Sequence, residues 1–243
     1  NMNDTGVERD KKIVENLATG YYLNNDALIR FKYMDLDHAF GSGDIYSTVE
    51  DLALWDRALY TDALVSKETL KLIFTPYGSS GESESGEDDY GYGWFIDSKF
   101  GRNRISHGGG GLGFLTELHR YEADEVCVVV LSNYGFTAVT RLAEIMAAIV
   151  FEEKYIFPNR PETFPLEPDE FENLVGTYVN DIEKFTVKKE DDKMFFVIDD
   201  AYIIPMYPTA KNRFHQTWID ESYVFYTDED GDACFIGAKK VKD

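Results

Sequence analysis

The 243-residue chain has little cysteine, only Cys127 and Cys234. Two thiols so far apart exclude a disulfide scaffold, a CxxC redox pair and a cysteine-rich zinc site. Positive charge is the next shortage: 24 Lys and Arg face 45 Asp and Glu, a formal charge of −21. Such a surface repels phosphates at long range, which argues against nucleic acid or an anionic membrane as partner. Long apolar runs are missing too, and the polar segment from Asn1 has no basic-then-apolar targeting pattern. Of seven prolines, four (Pro158, Pro161, Pro165, Pro168) fall close together. That cluster reads as a stiff linker over 156–169.

The hydrophobic content of 44% is ample for packed cores on either side of that linker. Residues 1–45 read as irregular, punctuated by turn residues at Asn24-Asn25 and Gly41-Ser42-Gly43. Ser47-Thr48-Val49-Glu50 has the form of a capping box, and Leu52, Trp55 and Leu59 follow at helical spacing, predicting a helix over about 48–60. Ser66 starts a second, shorter helix that Pro76 ends. Gly78 to Asp89 is small, acidic and without bases, a solvated loop by composition. Strand character then dominates in Tyr90–Ile96, Arg102–His107, Phe114–Tyr121 and Val126–Leu131, with Glu122 to Glu125 as a hairpin link. The last of these, VCVVVL, is apolar on both faces and is expected in the middle of a sheet covered on both sides. An apolar stripe through Val139, Leu142, Met146, Ile149 and Val150 predicts a covering helix within Thr137–Glu153. The fold class expected is α+β, an antiparallel sheet with covering helices over 1–155. Beyond the linker, seven short aromatic and β-branched runs between acidic turns predict a small antiparallel barrel over 170–243.

Chemistry concentrates in Ser106-His107-Gly108-Gly109-Gly110-Gly111. An imidazole beside unobstructed backbone N–H groups is what an oxyanion-stabilising strand edge needs, because residues without side chains let a carbonyl approach the main chain. The competing reading is a bulged strand with an incidental histidine. Other candidates are thinner. Asp35-x-Asp37-His38 is three polar residues in a loop, and Asp228-x-Asp230-Gly231-Asp232 resembles a calcium loop with its glycine misplaced and Lys239 where the bidentate acid belongs. Ser42, Ser79 and Ser106 lie near glycine but outside any GxSxG frame.

Several segments together carry a resemblance. Gly41–Leu59 (GSGDIYSTVEDLALWDRAL), Leu64–Pro76, Tyr90–Ile96 (YGYGWFI), Ser106–Phe114 (SHGGGGLGF) and Val128–Asn133 (VVVLSN) occur in the order and spacing of the serine β-lactamase-like family. This family includes class C β-lactamases, D-alanyl-D-alanine carboxypeptidases and penicillin-binding-protein-like esterases. The match covers roughly residues 1–150, and the barrel is similar to the lipocalin-like domain often appended to these hydrolases, with Leu174–Tyr178 as its opening. The resemblance implies an acyl-serine mechanism, without metal or organic cofactor, on an amide or ester: a β-lactam, a D-amino-acid or peptidoglycan-like peptide, or a simple ester. It aligns His107-Gly108-Gly109 with the family's third motif, on the strand lining the active site. His107, Gly109 and Gly110 are then the catalytic candidates, the Gly110 N–H being one of two oxyanion donors. Gly108, Gly111, Gly43 and Ser47 are the candidate substrate contacts.

The departure from the family is equally plain. No lysine of this chain has a serine three residues before it, so the Ser-x-x-Lys nucleophile motif is not in this sequence. Tyr22-Leu23-Asn24 and Tyr178-Val179-Asn180 match the second motif only literally, since the family's copy precedes the segment that opens this chain. The chain therefore reads as the C-terminal portion of a hydrolase, inactive alone, with an N-terminal half elsewhere or a homo-oligomer as its partner. The alternative is a non-catalytic member that binds a ligand or partner. Relatives of this kind imply an extracytoplasmic or membrane-associated parent.

Overall fold

The computed structural model describes residues 1–8, 13–24, 27–32, 34, 36, 39–79, 89–157, 162–165, 167, 172–180, 184–190, 193–198, 202–216, 221–229, 233–235 and 238–241. The acidic loop over 80–88, Asp35, Asp37 and His38, and Pro158, Pro161 and Pro168 of the expected linker lie outside them. The chain divides into two compact units: residues 1–22, 30–135 and 139–156 form one, and 23–29, 136–138 and 157–243 the other. No helix among the described residues is long and apolar enough to cross a membrane.

The expected irregular N-terminal stretch contains four short strands, β1 (Gly6–Val7), β2 (Tyr21–Asn24), β3 (Ala27–Arg30) and β4 (Ile45–Tyr46), with β1 paired to β4 and β2 to β3. Helix α1 spans Val49–Ala58, and its N-cap is Thr48, whose hydroxyl accepts from the Asp51 N–H at 3.2 Å. The expected box at Ser47 and Glu50 is thus displaced by one residue. The N-terminal segment is the cause: Ser47 Oγ shares a hydrogen bond with Thr5 Oγ1 at 2.8 Å, and the Asp51 carboxylate accepts from the Asp4 N–H at 2.9 Å and from Thr5 Oγ1 at 2.7 Å. Helix α2 (Lys67–Ile73) begins at a Ser66 cap as its sequence demands.

Strands β5 (Gly78–Ser79), β6 (Asp89–Tyr90), β7 (Phe95–Lys99), β8 (Arg102–Gly111), β9 (Phe114–Tyr121) and β10 (Val126–Ser132) form an antiparallel sheet in the order β10-β9-β8-β7-β6-β5. A 3₁₀ turn at Glu122–Asp124 makes the β9–β10 link, and helix α3 runs Val139–Val150. One buried cluster joins α1 and α2 to the sheet through Leu59, Leu70, Trp94, Ile105 and Leu118, with Trp55 stacked on Trp94 at 5.6 Å. A second joins the opposite face to α3 through Tyr121, Val128, Ala143 and Ala147. Three expectations need correction. The run Tyr90–Ile96 is two strands, β6 and β7, turned at Gly91–Gly93, where Gly93 adopts φ +78°. Strand β8 does not stop at His107 but continues through all four glycines, held by pairing to β9 as far as Gly111↔Phe114. And β10, expected in mid-sheet, stands at its end, paired among the described residues to β9 alone.

Charged pairs fasten the layers. Arg104 of β8 is gripped by Asp97 of β7 and reaches Glu144 of α3 at 3.2 Å, and Lys99 meets the same carboxylate at 2.6 Å. Burial alone would raise the Glu144 carboxyl, but Lys99 and Arg104 hold it below the usual range. On the other face Arg120 is fully buried, bonded through Nε to Asp56 of α1, with its guanidinium over the rings of Tyr60 and Phe74 at 5.1 and 5.2 Å.

The second unit carries a closed barrel of eight antiparallel strands: β11 (Gly176–Val179), β12 (Lys184–Glu190), β13 (Lys193–Ile198), β14 (Tyr202–Ala210), β15 (Arg213–Gln216), β16 (Glu221–Thr227), β17 (Ala233–Phe235) and β18 (Ala238–Lys240). The expected seventh run, Ala233–Gly237, holds β17, and an eighth strand the sequence did not announce, β18, follows it and returns to pair with β11. Aromatic side chains fill the interior: Tyr178, Phe185, Phe196, Phe214, Phe225 and Phe235 are all buried, with Phe225 and Phe235 stacked at 4.0 Å. Tyr178 belongs to that core, its hydroxyl donating to Leu174 O at 2.8 Å, so the Tyr178-Val179-Asn180 match is structural.

Candidate active site

The last pair between β7 and β8 is Phe95↔Ser106. Beyond it β8 runs on with β9 on one side and, among the described residues, no strand on the other. Thr116 Oγ1 donates to Gly109 O at 3.4 Å on the β9 side. Because successive peptide groups of a strand face opposite edges, those of Gly108 and Gly110 face the open side. His107 stands at the start of this open stretch, exposed, with the rings of Phe95 and Tyr90 at 5.3 and 6.1 Å.

The hydrogen bonds of the imidazole define the tautomer of its neutral form. Its Nδ1 lies 2.6 Å from Gly108 O, and since a carbonyl can only accept, Nδ1 carries the proton. In the neutral ring Nε2 then accepts from the Tyr90 hydroxyl at 2.9 Å. One acceptor on the open side, the Gly108 carbonyl, is taken by this arrangement. The N–H groups of Gly108 and Gly110 remain, together with the Gly110 carbonyl nearer the tip.

Beyond access, a side chain at three of the glycines would press on the ends of neighbouring side chains of β9. A Cβ on Gly108 would lie 3.0 Å from Glu117 Oε2, one on Gly109 2.7 Å from Thr116 Oγ1 and one on Gly110 2.9 Å from Leu115 Cδ2, while one on Gly111 would meet nothing within 4 Å. At the tip, Leu112 (φ +53°) and Gly113 (φ +82°) make a two-residue turn of the I′ kind, both central residues having positive φ. The turn rests on main chain: a Cβ on Gly113 would lie 2.6 Å from Tyr21 N, and one on Gly20 would lie 2.0 Å from Leu112 O. Tyr21 is itself held, its N–H donating to Asn133 O at 2.9 Å and its carbonyl accepting from Gly135 N at 2.8 Å.

Beside Gly108, the buried Glu117 carboxylate accepts from Thr140 Oγ1 at 2.7 Å and lies 3.1 Å from Nε2 of the fully buried His119. Tyr90, Glu117 and His119 escaped sequence reasoning. Tyr90 offered a weak signal, being the first aromatic of YGYGW; the other two only continue the alternation of β9.

The remaining candidates separate from this group. Ser47 Oγ is engaged with Thr5 and with Thr48 O at 3.4 Å, and Gly43 lies in an exposed turn, so among the described residues no hydrogen bond joins either to β8. Ser42 Oγ donates to Ala39 O at 2.6 Å, and Ser106 is buried. Cys127 is no alternative nucleophile: burial, with Asp56 nearby, pushes its thiol up to about 12. Asp228 pairs with Lys239 at 2.6 Å, while Asp230 to Asp232 lie outside the described residues. Among the described residues no three His, Cys, Asp or Glu side chains gather as a metal site would require.

The family model for Beta-lactamase matches residues 1–150, the unit that holds this strand edge. The chain belongs to the beta-lactamase family. It is 28% identical, over 255 aligned positions and 97% of its length, to penicillin-binding protein 4* of Bacillus subtilis (strain 168). Its fold matches that of the octameric penicillin-binding protein homologue from Pyrococcus abyssi with a TM-score of 0.55 at 21% identity, over 99% of this chain and 57% of that one. A D-stereospecific amidohydrolase from Streptomyces sp. matches 60% of this chain and 43% of its own, with a TM-score of 0.50 at 20% identity. The chain spans 56% of the length of the Bacillus relative, a little over half. The family assignment and the α+β sheet with its appended barrel therefore agree with the sequence reading.

Proposed function

We propose that this chain forms one wall of an acyl-transfer site in a serine hydrolase that cleaves an amide or ester through an acyl-serine intermediate. The observation that carries the reading is the open side of β8, where the Gly108 and Gly110 N–H groups are free of side chains and of a partner strand. A carbonyl oxygen seated there gains negative charge as a nucleophile adds to its carbon, and N–H dipoles already in place stabilise that charge without reorganising. The Gly110 N–H is the oxyanion donor, and His107 orients the substrate. The attacking hydroxyl and its lysine base come from a Ser-x-x-Lys motif that this sequence does not contain. The first addition forms the serine ester and expels the amine or alcohol; water then releases the acid. The substrate class is a β-lactam, a D-amino-acid peptide or an ester, in keeping with relatives named as a penicillin-binding protein and a D-stereospecific amidohydrolase.

The test incubates this chain, and separately the complete gene product, with a chromogenic β-lactam, a p-nitrophenyl ester and a fluorophosphonate probe. Labelling and turnover by the complete product and neither by the 243-residue chain is expected. Labelling of the chain by itself, or none by either, would overturn the proposal.

A further inference from the structure

Tyr90 belongs to β6, two strands from the glycine run in the sheet order, yet its hydroxyl is the hydrogen-bond partner of His107 Nε2 at 2.9 Å. In a free neutral imidazole the proton exchanges readily between the two nitrogens. Here both are committed: Nδ1 donates to the Gly108 carbonyl at 2.6 Å, and Nε2 can only accept from the phenol. Moving the proton to Nε2 would leave Nδ1 facing a carbonyl oxygen lone pair to lone pair. The phenol would also have to turn its hydrogen elsewhere. The packing that places Tyr90 is specific, since its ring stands edge-on to Phe95 at 4.9 Å and its strand pairs Tyr90↔Phe95.

We infer that Tyr90 is a positioning residue that holds His107 as the Nδ1–H tautomer, so that the imidazole occupies the Gly108 carbonyl and leaves the open edge of β8 rich in N–H donors. The inference rests on the acyl-transfer reading for its purpose and on the hydrogen bonds alone for its geometry. An unoccupied Gly108 carbonyl would point an acceptor at the place where an oxyanion or a substrate carboxylate gathers negative charge. Covering it with the adjacent imidazole removes that repulsion without adding a side chain to the glycine run. It also assigns His107 a different task from a freely shuttling base, because neither ring nitrogen is idle at rest.

The test is long-range ¹⁵N–¹H NMR of the His107 ring in the 243-residue chain, recorded at a pH where the imidazole is neutral, for the unaltered protein and for Tyr90→Phe. The phenylalanine keeps the ring packing against Phe95 and removes only the hydroxyl. The unaltered chain should show Nδ1 protonated and Nε2 unprotonated, and Tyr90→Phe should shift the tautomer ratio toward Nε2–H by roughly five- to tenfold, the weight of one hydrogen bond. Unchanged amide shifts in β9, β10 and α3, which belong to the same unit as Tyr90, show that the variant is folded. An Nε2–H signal in the unaltered chain, or a ratio that Tyr90→Phe leaves alone, would overturn the inference. The second arm measures turnover by the complete gene product: Tyr90→Phe should lower kcat and alter its pH profile while KM moves little. If the complete product turns over no substrate but the tautomer responds as stated, the acyl-transfer reading fails and the positioning role stands.

Discussion

Asp56 and Arg120 bring opposite charges into a buried region, the guanidinium within 5.1 and 5.2 Å of the Tyr60 and Phe74 ring centres. A buried pair of this kind adds little net stability over an apolar pair of similar volume, but removing one partner strands the other's charge. Asp56→Ala is therefore expected to lower the unfolding free energy by about 3–5 kcal/mol, read from urea denaturation. The double variant Asp56→Leu/Arg120→Met should be closer to the unaltered protein than either single one. A single variant within 1 kcal/mol of the unaltered protein, on the order of the effect of an exposed pair, would contradict this picture. Residues such as these were not legible beforehand. Arg120 and His119 sit in a strand whose sequence, FLTELHRY, reads as half-exposed, because polar letters imply solvent unless the partner is known, and the partner of Arg120 lies 64 positions away. His107 was legible because its signal is local: an imidazole followed directly by glycines.

At the scale of elements, the β8–β9 hairpin shows what sequence transmits and what it does not. Glycine has low strand propensity, so the run after His107 reads as a break, and only cross-strand pairing to β9 keeps it extended. The VCVVVL run reads as a mid-sheet strand because α1 and α3 cover its two faces; hydropathy reports cover above and below and is silent about neighbours to the side. Closure of the barrel by an eighth strand was hidden in the same way, since Ala238–Lys240 is too short and too basic to announce itself. The helix starts at Ser66 and near Thr48 were legible because capping is local chemistry. The glycines of the hairpin should divide under mutation. Gly111→Ala, with open space around it, should change stability by no more than about 0.5 kcal/mol. Gly113→Ala, at φ +82° and against the Tyr21 main chain, should cost about 2 kcal/mol or more, measured by thermal unfolding. Equal effects at the two positions would mean that the tip is not seated on Gly20–Tyr21 as described.

At the scale of the whole molecule, the two units treat their strand edges differently. The barrel has no edge, because β18 pairs with β11. The sheet of the first unit ends in β10, seven residues long, apolar and paired on one side among the described residues, with Leu131 38% exposed. An edge of that kind is a template for another strand. The isolated chain is expected to self-associate through β10, observed by sedimentation equilibrium at micromolar concentration, and Leu131→Lys should weaken the association. A monomer at all concentrations would count against an open edge. The opposite end of the sheet is β5, only two residues, too short to template anything. Two copies joined antiparallel through β10 would each cover the other's β10 edge, so assembly by this route terminates at a closed pair and does not propagate through that edge into a fibre.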